Sequence, residues 1–216
     1  MDLDEFLTGV EDVNEFFRKP ELKGYDMVRF KWRLFGDDGM VERDMSKPVY
    51  EAFRREVAHK LSNQAKCAVR GGVENVRVGS CHYAYEDDGA AFENLSKRDL
   101  SKTTPLKECL PSGAPCESRI SLKEDYSKET AFVNHYMTKT ISEFARQKMG
   151  RGDACFDKKD INLDYFWAIN EKTPEKVAFI SALDKRAQEK AAEKKKEASA
   201  KPKPQAYGKQ NAYLYF

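Results

Sequence analysis

An α/β fold, a mixed sheet flanked by helices, is what the sequence predicts, on three observations. A clean alternation of apolar and polar residues runs from Tyr25 to Phe35, the period of a half-buried strand. Apolar groups recur at helical spacing over residues 10–18 and 48–61. The 216 residues are enough for one substantial domain with an appendage, but not for two full domains.

Taken in order, Met1–Leu7 is too acidic for a strand interior and reads as the last residues of a strand delivering carboxylates into a loop. Val10, Val13, Phe16 and Phe17 define a short amphipathic helix closed by Pro20. In the following strand Val28, Phe30, Trp32 and Leu34 share one face, with Met27, Arg29, Lys31 and Arg33 on the other. Gly36-Asp37-Asp38-Gly39 is a turn sequence, since Gly and Asp readily take positive φ. Pro48 opens a predicted helix over 48–61 with Val49, Phe53, Val57 and Leu61 on one side. Lys66–Arg70 and Val73–Tyr85 read as two short strands about Gly71-Gly72. Residues 87–128 are polar, contain Pro105, Pro111 and Pro115, and read as an irregular insertion. Phe132–Tyr136 is strand-like, and Thr140–Lys148 helical, with Ile141, Phe144, Ala145 and Lys148 at helical offsets before Gly150. Residues 160–183 are helical in part, with a helix start at Pro174. The division expected is a domain over 1–183 and a tail over 184–216, a solvated Ala, Glu and Lys helix giving way to disorder at Pro202 and Pro204.

Charge narrows the function classes. Residues 184–209 hold nine Lys or Arg against four acids, which leaves the body near neutral with 29 bases against 32 acids. A neutral body has no electrostatic footprint for nucleic acid. The tail's modest positive field, around Lys194-Lys195-Lys196, suits peripheral contact with an acidic membrane surface, although interspersed Glu weakens it. Five widely spaced cysteines without a C-x-x-C pair read as free thiols in a reducing cytosol. No apolar run approaches the ~18 residues of a membrane span, and acidic Asp2 and Asp4 follow Met1 directly, so a cytoplasmic location is expected.

Chemistry begins at Asp2-Leu3-Asp4. Two carboxylates at i and i+2 where a strand ends reach one cation if the backbone bends, and hard oxygen ligands suit magnesium or manganese. Downstream in order stand Trp32-Arg33-Leu34-Phe35-Gly36, Lys66-Cys67-Ala68-Val69-Arg70, His82, Asn134-His135-Tyr136-Met137-Thr138-Lys139 and Arg151-Gly152. This ordered set resembles the second half of bacterial glycosyltransferases of the family 2 and family 92 type. Those enzymes run Asp-x-Asp-Glu-Phe, Trp-Arg-x-Phe-Gly, Lys-Ser-x-Val-Arg, His, Asn-His-Tyr-x-Thr-Lys-Ser and Arg-Gly. The match covers about residues 2–155 outside the 87–128 insertion.

The resemblance implies a partial glycosyltransferase A type fold that transfers a sugar from a nucleotide-sugar donor to a carbohydrate acceptor. It implies a divalent metal (Mn or Mg) on Asp2 and Asp4, oriented by Glu5 and completed by His82 or His135, between which the sequence does not choose. Lys139 and Arg151 are the expected diphosphate partners, and Trp32, Arg33 and Phe35 the acceptor-side residues. Asp38, with Asp37 beside it, is the local choice for a general base, although the family shows Ser more often after Phe-Gly, and a turn role fits equally. The family's Lys-Ser pair stands here as Lys139-Thr140.

In that fold the nucleotide is bound by strands and helices that precede the acid pair. The expectation is a chain lacking them, as a fragment, a gene that has lost its first half, or a misplaced start. The competing expectation is an inactive remnant that binds carbohydrate or protein.

Overall fold

The computed structural model describes residues 3–59, 64–80, 82–87, 106–116, 126–151 and 159–200. It is a mixed α/β structure. In chain order, β1 (Glu5–Thr8) is followed by α1 (Val13–Phe17), β2 (Met27–Leu34), α2 (Val49–Ala52), β3 (Ala65–Val69), β4 (Val76–Ser80), β5 (Tyr83–Glu86) and β6 (Glu108–Cys109). Then come β7 (Phe132–His135), α3 (Ile141–Glu143), which runs into a π-helical turn (Phe144–Lys148), α4 (Leu163–Trp167) and α5 (Pro174–Ala200). Contacts divide the chain into Met1–Thr173 and Pro174–Phe216, a boundary that falls before the composition change at 183. No helix among the described residues is long and apolar enough to cross a membrane.

The main sheet runs β1-β7-β2-β3, with β6 also on β2. β1 is antiparallel to β7 and β3 antiparallel to β2, whereas β6 and β7 lie parallel to β2. β2 is therefore internal to the sheet. Val28, Phe30, Trp32 and Leu34 join Phe16, Leu22, Val133, Met137 and Ile169 in the largest core cluster. On the opposite face Met27 packs with Ala84 and Leu106, and Arg29 is buried against Glu108 at 3.4 Å. The alternation thus marks the two faces correctly, but the face of Met27 and Arg29 is buried at that end of the strand and opens only at Lys31 and Arg33.

The short helix before Pro20 forms as expected. The Asp12 carboxylate caps it, accepting from the backbone N–H of Asn14 (2.7 Å) and Glu15 (2.9 Å), and Phe16 is its buried residue. The turn after β2 also forms, closed by Met40 N–H to Asp37 O at 2.9 Å with positive φ at Asp38 (51°) and Gly39 (80°). Four expectations are corrected. The acidic start does not close a strand, because β1 opens at Glu5 and Asp4 precedes it. The helix predicted over 48–61 ends at Ala52, because Phe53 is extended and the next residues line an edge of β2's continuation: Gly36 N–H donates to Arg55 O (3.1 Å) and Val57 N–H to Leu34 O (2.8 Å). These tertiary bonds outweigh a weak helical pattern. Val73–Tyr85 is not one strand but the antiparallel pair β4 and β5, with a register shift between Val78 and Ser80. The 87–128 segment contributes β6 and the buried Leu106, Cys109, Leu110 and Tyr126, so its described part is woven into the core. Residues 88–105 and 117–125 of that segment lie outside the described residues.

α5 begins at Pro174 as predicted, and residues 184–197 are exposed, as a stretch of strong helix formers with charged side chains should be. Among the cysteines, Cys67, Cys109 and Cys116 are free thiols, as expected; Cys81 and Cys155 lie outside the described residues.

Two predictions arise here. Gly9 has φ +74°, and a Cβ placed on it would lie 1.8 Å from the backbone O of Thr130. Gly9→Ala is expected to lower unfolding free energy by about 3 kcal/mol in urea titrations. Burial, with the Glu129 charge adding and Arg70 opposing, pushes the Cys109 thiol up to about 11. Cys109 should therefore resist alkylation at pH 8 in the native state and react on unfolding, as followed by peptide mapping.

Candidate functional site

β7, which carries Asn134 and His135, lies between the strand that follows Asp4 and the strand that carries Trp32 and Arg33. Glu5 stands opposite His135 in the β1–β7 pairing, and Leu34 stands opposite His135 on the other side. Tyr136 N–H donates to Asp4 O at 2.9 Å and Phe35 N–H to His135 O at 3.0 Å, so the backbone at Asp4, His135 and Phe35 is locked as one piece. Strand alternation then puts Glu5, His135, Trp32 and Lys66 on one face of the sheet, since Phe30 pairs with Lys66 in β3.

Basic and acidic side chains alternate through this cluster. Lys66 Nζ is 3.1 Å from Glu5 Oε1, with both side chains buried at 6% and 0% exposure. The same Glu5 oxygen lies 3.7 Å from His135 Nδ1, and His135 Nε2 lies 3.6 Å from Asp4 Oδ1. Lys148 Nζ is 3.9 Å from Asp4 Oδ2 and donates to Met137 O at 2.8 Å. Asp4 and Lys148 are the outward members, their side chains 20% and 27% exposed against 7% for His135.

Trp32 walls the cluster. Its indole meets His135 edge-on at 4.4 Å and His82 edge-on at 5.0 Å, and Lys66 Nζ sits 5.6 Å over the ring. Both histidine candidates therefore pack on one tryptophan, yet they differ in role. His135 faces the two acids, whereas His82, in the β4–β5 turn, has Nδ1 2.8 Å from Ala65 O. That contact puts the proton on Nδ1 and fixes the ring.

The remaining sequence candidates fall elsewhere. Asp2 lies outside the described residues. Asp38 serves the turn: its carboxylate accepts from the backbone N–H of Arg54 (2.7 Å) and Arg55 (3.0 Å), stapling the turn to the neighbouring segment. Asp37 is fully buried, accepts from Gly39 N–H at 2.9 Å, and receives its own support from Asn170, whose Oδ1 takes the Asp37 N–H at 2.7 Å. Phe35 is not a stacking platform, because its ring is stacked on Tyr136 at 4.9 Å within the core. Trp32, only 7% exposed, is taken up by the two histidines. Arg33 is half-exposed, bonded to Glu56 at 2.7 Å and lying over the Phe132 ring. Lys139 holds a positive φ of 53° ahead of the Thr140 cap, and Arg151 is exposed with its N–H on Lys148 O.

Two residues of the cluster escaped the sequence candidates, Lys66 and Lys148. The signal for Lys66 is its parity: it shares a face with Ala68 opposite Phe30 and Val28, so a lysine there needs a buried acid. Lys148 carries a cation at the helical offset of Ile141 and Phe144, which are buried. On the far side of β7, burial raises the Tyr136 phenol above its ordinary range; the Asn134 hydrogen bond and Arg33 work against this, and Asp38 adds to it.

Among the described residues no group of three His, Cys, Asp or Glu side chains is arranged to hold a metal ion. Asp4 and His135 nevertheless supply a carboxylate oxygen and an imidazole nitrogen at 3.6 Å, too long for a hydrogen bond and near the separation, about 3 Å, of adjacent ligands on one small divalent ion. Such an ion commonly takes one or two protein ligands and fills its other positions with phosphate oxygens and water. The donor pair fits that pattern. Comparison with protein-family models, with curated proteins and with solved structures finds no match to this chain.

The buried pair carries a prediction of its own. Lys66→Ala leaves the Glu5 carboxylate buried without its ammonium partner and should cost about 3–5 kcal/mol in urea unfolding, whereas the double variant Glu5→Leu, Lys66→Met should recover most of that loss.

Proposed function

We propose that this chain is the metal-binding and acceptor-side part of a nucleotide-sugar glycosyltransferase, with its β1-β7-β2-β3 sheet forming part of a glycosyltransferase A type fold. One observation carries the proposal: Asp4 Oδ1 and His135 Nε2, from the acid-pair and Asn-His-Tyr segments about 130 residues apart in the chain, converge to 3.6 Å where β1 begins and β7 ends. The order of the motifs along the chain supports the same reading independently of the geometry.

In this proposal Asp4 and His135 hold a divalent cation together with phosphate oxygens. When bound, the cation offsets the charge of the leaving diphosphate as the anomeric carbon gains positive character. Glu5, neutralised by Lys66, places its carboxylate 3.7 Å from the opposite nitrogen of the His135 ring, so an acid stands on either side of the imidazole. Trp32 closes one side of the imidazole to water.

Titration calorimetry with manganese and UDP or GDP tests this. Binding of the nucleoside diphosphate should depend on manganese and weaken at least about tenfold in Asp4→Ala and His135→Ala, the order expected for lost metal ligation. His82→Gln should bind as the parent does. Folded parent protein that binds neither manganese nor nucleotide would overturn the proposal and favour a carbohydrate- or protein-binding module held together by its ion pairs.

A further inference from the structure

Lys148 reaches Asp4 because of a local departure from the α-helix. Met149 N–H donates to Phe144 O at 2.9 Å, an i to i+5 bond that closes the π-helical turn Phe144–Lys148. In an uninterrupted α-helix residue 148 would stand above Ile141 and Phe144, whose side chains are fully buried. The wider turn takes the lysine off that apolar stripe, and its side chain is 27% exposed. The hydrogen bond to Met137 O at 2.8 Å tethers the ammonium beside the Asp4 carboxylate, which it faces at 3.9 Å, beyond hydrogen-bond length.

We propose that Lys148 is the exchangeable counter-cation of the Asp4 site, pairing with Asp4 in the metal-free protein and with the oxygens of a diphosphate once a divalent cation takes Asp4. The inference rests on the glycosyltransferase reading above and gives the diphosphate-binding role to Lys148 rather than to Lys139 or Arg151. Its physical basis is competition. An ammonium and a divalent cation about 4 Å apart on one carboxylate repel each other, so Lys148 opposes the metal when the metal comes alone. A diphosphate reverses the sign, because its charge exceeds that of the metal and an ammonium tethered nearby then adds a charge-assisted hydrogen bond.

The two halves of the proposal require opposite responses from one substitution. In titrations with manganese chloride alone, Lys148→Met should bind the ion about fivefold more tightly than the parent. In titrations with inorganic pyrophosphate at saturating manganese, the same variant should bind about tenfold more weakly. Lys148→Arg, which keeps the charge, should stay within about threefold of the parent for both ligands. Arg146→Met, which removes a cation of the same turn that pairs with Glu42 instead, should match the parent. A merely structural lysine would weaken both ligands in Lys148→Met, and that result overturns the proposal, as does pyrophosphate binding equal to the parent's. If Lys148→Met does not fold, Lys148→Arg decides, since loss of pyrophosphate binding there with folding intact is the contrary result. Parent protein that binds neither probe overturns this proposal together with the glycosyltransferase reading; parent protein that binds both while Lys148→Met loses both overturns only the role of Lys148.

Discussion

β7 is four residues long, and it hydrogen-bonds to β1 on one side and β2 on the other. Its last residue, His135, is held opposite Glu5 and Leu34 at once, and the next residue, Tyr136, takes the carbonyl of Asp4. That register decides which side chains can meet. A slip of one residue would carry His135 to the opposite face of the sheet, where Phe6, Arg33 and Asn134 stand, and away from every partner it now has. The hydrophobic stripe Val28, Phe30, Trp32 and Leu34 on β2 secures the register, because Val133 must sit among these residues to be buried.

Polar groups buried under such a strand need partners from other elements, and the chain supplies them at a distance. Glu5 finds Lys66 from β3, Arg29 finds Glu108 from β6, and Arg43 finds Glu143 from α3 at 3.0 Å. Each pair joins segments separated by tens of residues. Breaking one partner leaves a desolvated charge, whereas the pair itself adds little net stability, so such pairs act more as selectors of one arrangement than as its driving force.

Much of the scaffold was legible in the sequence because it rests on local signals. Alternation over Met27–Leu34 marks β2 and separates its faces, the Gly-Asp-Asp-Gly run marks the turn, and Pro174 marks the start of α5. What could not be read depends on contacts between distant residues. Arg29 looks solvent-facing until Glu108 is brought to it, and residues 53–57 look helical until β2's continuation captures their backbone. The candidate site divides in the same way. The motif order offered Asp2 and Asp4 with either histidine, and that His135 faces Asp4 and Glu5 emerges only from the β1–β7 register. Lys148 required a π-helical turn, which leaves no periodic signature in a sequence.

Asn170 links three parts of the molecule through one side chain. Its Oδ1 accepts from Asp37 N–H, and its Nδ2 donates to Thr138 Oγ1 at 2.9 Å and to Phe166 O at 3.2 Å. The turn after β2, the residues after β7 and the end of α4 therefore share a single buried amide. For anyone trimming this protein, the practical limit is set there. A chain cut before residue 170 would keep every described strand of the sheet yet lose the group that satisfies the buried backbone at Asp37, so a complete set of strands is not enough to define a truncation point.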